Sequence, residues 1–298
     1  MSTSHVLLAG RNLLRIADLT SDEITAVLDL AVELKDERSA KLAGQTLGLV
    51  FIQPSTRTRI SFSAAMTQLG GTPLSLRGDE LQLSRGESIA DTARVLSRYV
   101  EAIAIRTLSH DDLEQWAEGA SIPVINALTE VEHPCQALAD ALTIRDRLGS
   151  LDGVRIGWVG DGTNVLVSLA EIAKLTGATV VAACPTGYDP PAETPLELVR
   201  DPREAAAGAD VLVTDIWVSL GQEAESERRL RDLEPYRLDE ALLAEASDDA
   251  IVLHCLPAHP GEEIAADVLY GGQSAVWDEA ENRLHVQKAL LALVLGAA

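Results

Sequence analysis

Aromatic residues are scarce in this sequence, where Phe, Trp and Tyr make up only 3% of 298 residues. The hydrophobic fraction is still 47%, so Leu, Val, Ile and Ala must fill the core. At about 150 residues per domain, the length predicts two domains. No apolar run approaches the roughly 18 residues of a membrane span, and the run at positions 6–9 is too short for a signal-peptide core.

Cysteine and positive charge are also in short supply. Cys135, Cys184 and Cys255 are three widely spaced cysteines, which predict no disulfide framework and favour a cytoplasmic protein. The net charge of −22 argues against a nucleic-acid-binding protein, which needs Lys and Arg to replace counterions on phosphates. In so acidic a protein, an anionic substrate requires a local cluster of arginines.

Several well-known cofactor and nucleophile motifs are missing. Gly160 and Gly162 begin a dinucleotide-binding pattern, but Val165 stands where its third glycine belongs. The following strand also ends without an acidic residue to hold a ribose, so we expect no nicotinamide cofactor. There is no P-loop and no nucleophile elbow, and no lysine falls within the motifs described below.

Short apolar runs alternate with amphipathic stretches along the whole chain, which predicts parallel sheets built from βαβ units. The predicted fold is α/β, with two doubly wound domains that meet near residues 149–153, and positions 185–195 form a loop. The predicted strands are 47–52, 72–76, 102–106, 124–128, 155–159, 179–183, 211–216 and 251–255. The predicted helices are 23–38, 57–69, 88–99, 111–119, 134–147, 164–175, 239–246 and 279–295.

The first strand is followed by a cluster of hydroxyl and guanidinium groups at the start of a helix. Open α/β sheets bind ligands beyond the carboxyl ends of their strands, so such segments are the first candidates for a site. Ser55, Thr56, Arg57, Thr58 and Arg59 supply more donors than an ordinary helix cap needs. The pattern therefore favours an anion site over a simple cap.

Other strand ends carry residues whose role the sequence leaves open. Arg106 ends a buried-looking strand and is a plausible second anion contact. His133 precedes the helix-starting Pro134, so it either caps that helix or, with Gln136, donates to a substrate oxygen. Asp215, placed just inside its strand, is either a cap or a carboxylate that binds an amine.

The cysteines and histidines do not have the spacing of a metal site. Cys255, at the end of the last predicted strand, is more commonly a buried small hydrophobe than a reactive thiol. His133, Cys135, His254, Cys255 and His259 match no known zinc spacing, so we expect no metal.

Taken together, six segments in this order resemble the aspartate/ornithine carbamoyltransferase family, and the resemblance covers nearly the whole chain. Within that family the sequence looks closest to the enzymes that carbamoylate ornithine. The segments are 55–59, 82–88, 133–136, 215–221, 254–257 and 281–283.

The resemblance implies a carbamoyl phosphate-binding domain at 1–148, completed by a returning C-terminal helix at 279–298, and an ornithine-binding domain at 149–278. It implies transfer of the carbamoyl group of carbamoyl phosphate to the δ-amine of L-ornithine in arginine biosynthesis, without a cofactor. It also implies a homotrimer with sites at subunit interfaces. The implied carbamoyl phosphate ligands are Ser55, Thr56, Arg57, Thr58, Gln82 (from a neighbouring subunit), Arg106, His133, Gln136, Cys255, Leu256 and Arg283. The implied ornithine ligands are Asn164, Asp215, Ser219 and Leu220, and the implied catalytic residues are Arg57, Arg106, His133, Asp215 and Cys255.

Four positions depart from the family pattern. Gln53 replaces a frequent Lys, Thr163 a usual Asn, Leu220 a Met, and Pro260 a common Arg. Because Thr163 and Leu220 lie beside the implied amino-acid pocket, the acceptor amine is less firmly predicted than the carbamoyl donor.

Three rival functions follow. The nearest is a sister enzyme acting on another amine, such as putrescine or lysine. Aspartate as acceptor is less favoured, because segment 215–221 has no cation for a second carboxylate. A non-catalytic binding protein is disfavoured because the full set of implied catalytic residues is present.

Overall fold

The computed structural model describes residues 8–219 and 222–298. The chain forms two compact units, and the division between them falls within two helices. Unit 1 comprises the described residues up to Ala139 together with Asn282–Ala298, and unit 2 comprises Asp140–Glu281.

The described residues contain nine strands and eleven α-helices, joined by loops and short 3₁₀ turns. The strands are β1 (Thr46–Phe51), β2 (Thr72–Arg77), β3 (Ala102–Arg106), β4 (Val124–Leu128), β5 (Arg155–Val159), β6 (Thr179–Ala183), β7 (Glu197–Val199), β8 (Val211–Thr214) and β9 (Ile251–His254). The helices are α1 (Ser21–Glu33), α2 (Thr56–Gln68), α3 (Ile89–Leu96), α4 (His110–Gly119), α5 (Pro134–Leu148), α6 (Asn164–Thr176), α7 (Pro202–Ala206), α8 (Ser226–Leu233), α9 (Glu240–Leu243), α10 (Ala266–Leu269) and α11 (Val276–Val294).

Each unit is built on one parallel sheet. In unit 1 the strand order is β2-β1-β3-β4, and in unit 2 it is β7-β6-β5-β8-β9. Every strand pairing among the described residues is parallel. The central strands are buried on both faces, as expected for a parallel sheet covered by helices. The predicted α/β class with two doubly wound sheets is confirmed.

All eight predicted strands are present, with ends that differ by at most two residues. The sequence missed β7, α7, α8 and α10, which are too short or too polar to show a clear hydrophobic period. Three strand ends were placed too late, those of β1, β8 and β9. Because β8 ends at Thr214 and β9 at His254, Asp215 and Cys255 lie just beyond their strands and not inside them.

Predicted helix 23–38 was too long, because α1 ends at Glu33. The ammonium group of Lys288, from α11, donates hydrogen bonds to the main-chain carbonyls of Leu34 and Glu37 and to the side-chain oxygen of Gln68. Lys288 is fully buried, so these three acceptors compensate for the loss of its hydration. This contact ties the last helix of the chain to the elements of unit 1.

Candidate active site

Both sheets reverse their strand order at an internal position, and such a switch point is where open α/β sheets bind ligands. In unit 1 the switch lies between β1 and β3, and in unit 2 it lies between β5 and β8. The segments that follow these four strands contain predicted site residues. They are 53–59, 106–107, 160–164 and 215–219.

The first turn of α2 has the composition of an anion site. Ser55 occupies the N-cap position with extended backbone, yet its side chain makes no capping hydrogen bond. The helix therefore begins with main-chain N–H groups that no side chain caps. Thr56 and Arg57 are exposed in this turn, and Arg57 has no hydrogen-bond or ion-pair partner among the described residues.

A buried arginine joins two helix starts of unit 1. Arg283, on α11, donates one hydrogen bond to Gln136 Oε1 at 2.5 Å and another to Thr58 Oγ1 at 3.0 Å. All three residues are buried, with Arg283 only 6% exposed. Since the Thr58 oxygen accepts from Arg283, the hydroxyl proton of Thr58 can be donated elsewhere.

His133 caps helix α5 through its main-chain carbonyl. Its carbonyl accepts the first hydrogen bonds of α5, from Gln136 N at 3.0 Å and Ala137 N at 3.2 Å. Burial holds the pKa of the imidazole well below its usual value, and the positive charges of Arg283 and Arg106 lower this pKa further. The ring is therefore neutral at pH 7 and can act as a hydrogen-bond donor or acceptor without adding charge.

In unit 2, three hydrogen-bond donors contact the carboxylate of Asp215. One carboxylate oxygen accepts from the Thr163 hydroxyl at 3.0 Å. The other accepts from the Cys255 thiol at 3.0 Å and from the Ile216 main-chain N–H at 2.8 Å. Asp215 is only 6% exposed, so three uncharged donors hold a buried carboxylate at the switch point.

Cys255 is a protonated thiol in this arrangement. Burial raises the pKa of Cys255 well above that of a free cysteine, and the negative charge of Asp215 raises it further. The thiol donates to Asp215, so the structure favours a donor and not a thiolate nucleophile.

Two of the side chains considered for a zinc site, those of Cys135 and His254, form hydrogen bonds within the protein. Cys135 Sγ donates to the Asn126 carbonyl at 3.6 Å, and burial raises its pKa to about 11. Both ring nitrogens of His254 form hydrogen bonds, with the main-chain N–H of Leu256 at 2.9 Å and with Glu263 Oε1 at 3.1 Å.

A salt bridge that the sequence did not reveal supports the loops of unit 2. Arg229, on the unpredicted helix α8, pairs with Asp161 and donates to the Trp217 carbonyl at 2.6 Å. Its guanidinium also lies over the Tyr188 ring, 5.0 Å from the ring centroid. Burial raises the pKa of Asp161, and the charge of Arg229 partly reverses this shift. Arg229 thus connects the loops that follow β5 and β8.

Close packing explains the second glycine of the Gly-Asp-Gly segment. A Cβ at Gly162 would come within 2.3 Å of the main-chain nitrogen of Pro190, so only glycine fits there.

The remaining predicted residues lie on several different elements. Gln82 is exposed in a 3₁₀ turn, where its side-chain oxygen accepts from Arg85 at 3.4 Å. Asn164 begins α6, and the Ser219 main-chain N–H donates to Gln222 Oε1 at 3.0 Å. Leu256 adopts a left-handed conformation, with φ of 55°. Leu220 lies outside the described residues.

Comparison with protein families decides the relationship. Residues 11–146 match the description "Aspartate/ornithine carbamoyltransferase, carbamoyl-P binding domain". Residues 152–294 match "Aspartate/ornithine carbamoyltransferase, Asp/Orn binding domain". The chain belongs to the aspartate/ornithine carbamoyltransferase family.

Individual carbamoyltransferases of this family are similar over nearly their whole length. An ornithine carbamoyltransferase from Carboxydothermus hydrogenoformans is 51% identical, with 96% of this chain and 98% of the relative covered. One from Acidothermus cellulolyticus is 53% identical, with 97% of each chain covered. The solved ornithine carbamoyltransferase from Pyrococcus furiosus superposes with a TM-score of 0.94 at 48% identity, covering 97% of this chain and 98% of that one.

Within residues 8–219 and 222–298, no helix is both long and apolar enough to cross a bilayer.

Proposed function

We propose that this protein transfers the carbamoyl group of carbamoyl phosphate to the δ-amine of L-ornithine, giving L-citrulline and phosphate in arginine biosynthesis. The observation that carries the proposal is the carboxylate of Asp215, held by Thr163, Cys255 and the Ile216 main-chain N–H. Such a group attracts a substrate that bears an amine. It repels the second carboxylate of aspartate, which disfavours aspartate as acceptor.

Residues of the first domain, 1–148 with the C-terminal helix at 279–298, bind carbamoyl phosphate in this proposal. The uncapped start of α2 receives the phosphate, together with the Ser55 and Thr56 hydroxyls and the Arg57 guanidinium. Arg283 stabilises the start of α2, because it donates hydrogen bonds to both Thr58 and Gln136.

Thr58, Arg106 and His133 stabilise the charge that develops on the carbonyl oxygen as the amine attacks. A donor aimed at such an oxygen is worth about 3–4 kcal/mol of transition-state energy. The Thr58 hydroxyl is suited to this role because Arg283 already occupies its oxygen. A neutral His133 can donate without adding charge to a site that already contains several arginines.

Residues of the second domain, 149–278, hold ornithine, with Asp215, Asn164, Ser219 and Leu220 as the proposed ligands. An alkyl amine titrates near pH 10, so only about one molecule in a thousand is neutral at pH 7. Asp215 orients the amine while it loses its proton, and Cys255 helps by holding Asp215 in place. Because Cys255 is a protonated thiol, we propose direct transfer without an acyl-cysteine intermediate.

We further propose that the protein is a homotrimer. Strand β2 lies at the edge of its sheet, and most of its side chains are exposed, although parallel sheets are normally covered on both faces. Leu74 on β2 and Ile60 on α2 are large apolar residues that are 43% and 58% exposed. A second copy covering this surface is consistent with the exposed position of Gln82, the residue expected to act in a neighbouring subunit.

A panel of amines tests the acceptor. Purified protein is incubated with carbamoyl phosphate and, separately, ornithine, lysine, putrescine, N-acetylornithine or aspartate, and the ureido product is measured. We expect ornithine to give the highest kcat/KM. Preference for another amine would refute ornithine as the acceptor while leaving the donor site in place. If none of the amines gave a ureido product, the proposed carbamoyl transfer would be refuted.

Replacing Arg57 tests the donor site. We expect Arg57→Ala to lower kcat/KM for carbamoyl phosphate by about 10²- to 10³-fold, because a charged donor to the phosphate is lost. The fold should be unaffected, since Arg57 is exposed and has no partner among the described residues. Arg94→Ala removes an exposed arginine that pairs with Asp91 on its own helix, and it should retain full activity. Near-normal turnover of Arg57→Ala would refute the assignment of Arg57 as a phosphate ligand.

A further inference from the structure

The turn after β9 is held by a buried histidine and glutamate pair. The side chains of His254 and Glu263 are both completely buried, and His254 Nε2 lies 3.1 Å from Glu263 Oε1. The same Glu263 oxygen accepts the main-chain N–H of His259 at 2.5 Å. A buried carboxylate is retained only where such donors compensate for its desolvation.

The hydrogen bonds determine the tautomer of His254. The main-chain N–H of Leu256 can only donate, so His254 Nδ1, 2.9 Å away, must be the acceptor and has no proton. The ring proton therefore lies on Nε2 and is donated to Glu263. Glu263 thus fixes both the orientation and the tautomer of the ring.

The ring in turn holds the backbone around Cys255. Leu256 has φ of 55°, a left-handed conformation that costs a non-glycine residue about 1 kcal/mol or more. Its N–H is anchored to His254, two residues earlier, which maintains the turn. Cys255 lies between the two, and its thiol meets Asp215 at 3.0 Å.

We infer that Glu263, acting through His254, is a positioning residue that sets the Cys255 thiol and the Leu256 main chain for carbamoyl transfer. Neither Glu263 nor His254 is among the residues proposed to touch a substrate. The inference rests on the proposed function, because it assigns the pair an effect on the rate of that reaction.

Variants that keep or remove each hydrogen bond test this inference. Glu263→Met removes the acceptor for His254 at nearly the same size. His254→Gln keeps a donor that can reach Glu263, but it has no acceptor atom at the position of Nδ1 for the Leu256 N–H. We expect both to lower kcat with ornithine by about 10- to 100-fold, the range produced by small misplacements of reacting groups. If Glu263→Met does not fold, His254→Gln alone decides.

Two further variants serve as controls. Glu263→Gln keeps an acceptor oxygen and should stay within about threefold of wild type, since only the charge is lost. His259→Ala removes the half-exposed ring beside the other Glu263 oxygen, 3.6 Å away, but leaves the main-chain donor, so it should not change kcat.

Alkylation of the cysteines separates positioning from general loosening of the fold. Cys135 and Cys184 are completely buried, whereas Cys255 is partly exposed. In folded Glu263→Met and His254→Gln, labelling by iodoacetamide should accelerate at Cys255 alone, as judged by mass spectrometry. Faster labelling at all three cysteines, or folded variants with kcat within threefold of wild type, would overturn the inference. A wild-type protein that makes no citrulline would instead refute the proposed function.

Discussion

At the scale of single residues, the hydrogen bond between Thr163 and Asp215 is a feature of the proposed ornithine site. Thr163 stands where its family usually has Asn, and its hydroxyl directly contacts Asp215. The replacement of Asn by Thr therefore changes the length of the side chain beside the Asp215 carboxylate but keeps a hydrogen-bond donor there. A sequence shows the substitution, whereas the contact across 52 positions is visible only in the folded chain.

We therefore expect Thr163 to affect the reaction with ornithine, the proposed carbamoyl acceptor, and not the binding of carbamoyl phosphate. We expect Thr163→Val to lower kcat/KM for ornithine by about 10-fold or more, because a hydrogen bond to a charged group is worth about 1.5–3 kcal/mol. Thr163→Ser keeps the hydroxyl and should retain most activity. Steady-state kinetics with each substrate varied in turn makes the measurement. Equal losses in the Val and Ser variants would argue for packing and against the hydrogen bond.

His133 gives a prediction about pH. Its folded pKa lies well below the unfolded value near 6.5, so the unfolded chain binds more protons between the two pKa values. The free energy of unfolding is unaffected by this residue above pH 6.5. It falls by up to about 1.4 kcal/mol per pH unit below that, until the folded pKa is reached.

Thermal unfolding of wild type and His133→Gln between pH 5 and 8 checks this prediction. The wild type should lose midpoint temperature on acidification more steeply than the variant, because Gln cannot take up the proton. The comparison cancels other titrating groups, including His110, whose pKa burial also lowers. Parallel pH profiles would contradict the assignment.

At the scale of elements, the short helix α8 has a larger role than its length suggests. The sequence did not predict this helix, because six of its eight residues are polar and it contains no apolar run. It carries Arg229, which joins the loops after β5 and β8 through Asp161 and the Trp217 carbonyl. These loops bear the proposed ornithine ligands.

Removing this arginine should therefore weaken ornithine binding. We expect Arg229→Met to raise KM for ornithine about 10-fold or more, because a buried carboxylate and a carbonyl lose their partner. The KM for carbamoyl phosphate should not change. Arg228→Met is the matched control, since the neighbouring Arg228 is exposed and pairs with Glu225 near the start of the helix. An unchanged ornithine KM in a folded Arg229→Met protein would refute the supporting role.

At the scale of the whole molecule, the proposed trimer is argued from an edge strand. Both sheets end in an exposed edge strand, yet only β2 belongs to the unit that carries Gln82. An exposed apolar strand is a site for association unless it is protected. The sequence implied a trimer through resemblance alone, and the exposed surface of β2 and α2 now supplies a physical reason for it.

Two matched leucines test the assembly. Leu74 on β2 and Leu198 on β7 are both on edge strands and are 43% and 40% exposed. We expect Leu74→Asp to convert the trimer to monomers with little activity, because a charge is buried at the interface and Gln82 leaves the neighbouring site. Leu198→Asp should remain trimeric and active. Light scattering after size-exclusion chromatography measures the mass, and a trimeric Leu74→Asp would exclude β2 from the interface.

Hydrophobic periodicity alone predicts the α/β class and the eight longest strands, and the ordered motifs indicate the family. Both are local properties of the chain. The sequence also located four of the six candidate segments after a strand, whereas segment 82–88 includes a 3₁₀ turn and segment 281–283 lies on α11. The contacts between side chains that are distant in sequence are visible only in the tertiary structure. Arg283 reaches Thr58 across 225 positions, and Cys255 reaches Asp215 across 40. These partners, and the pKa changes that burial imposes on His133 and Cys255, depend on strand order and helix packing. No local pattern in the sequence encodes either.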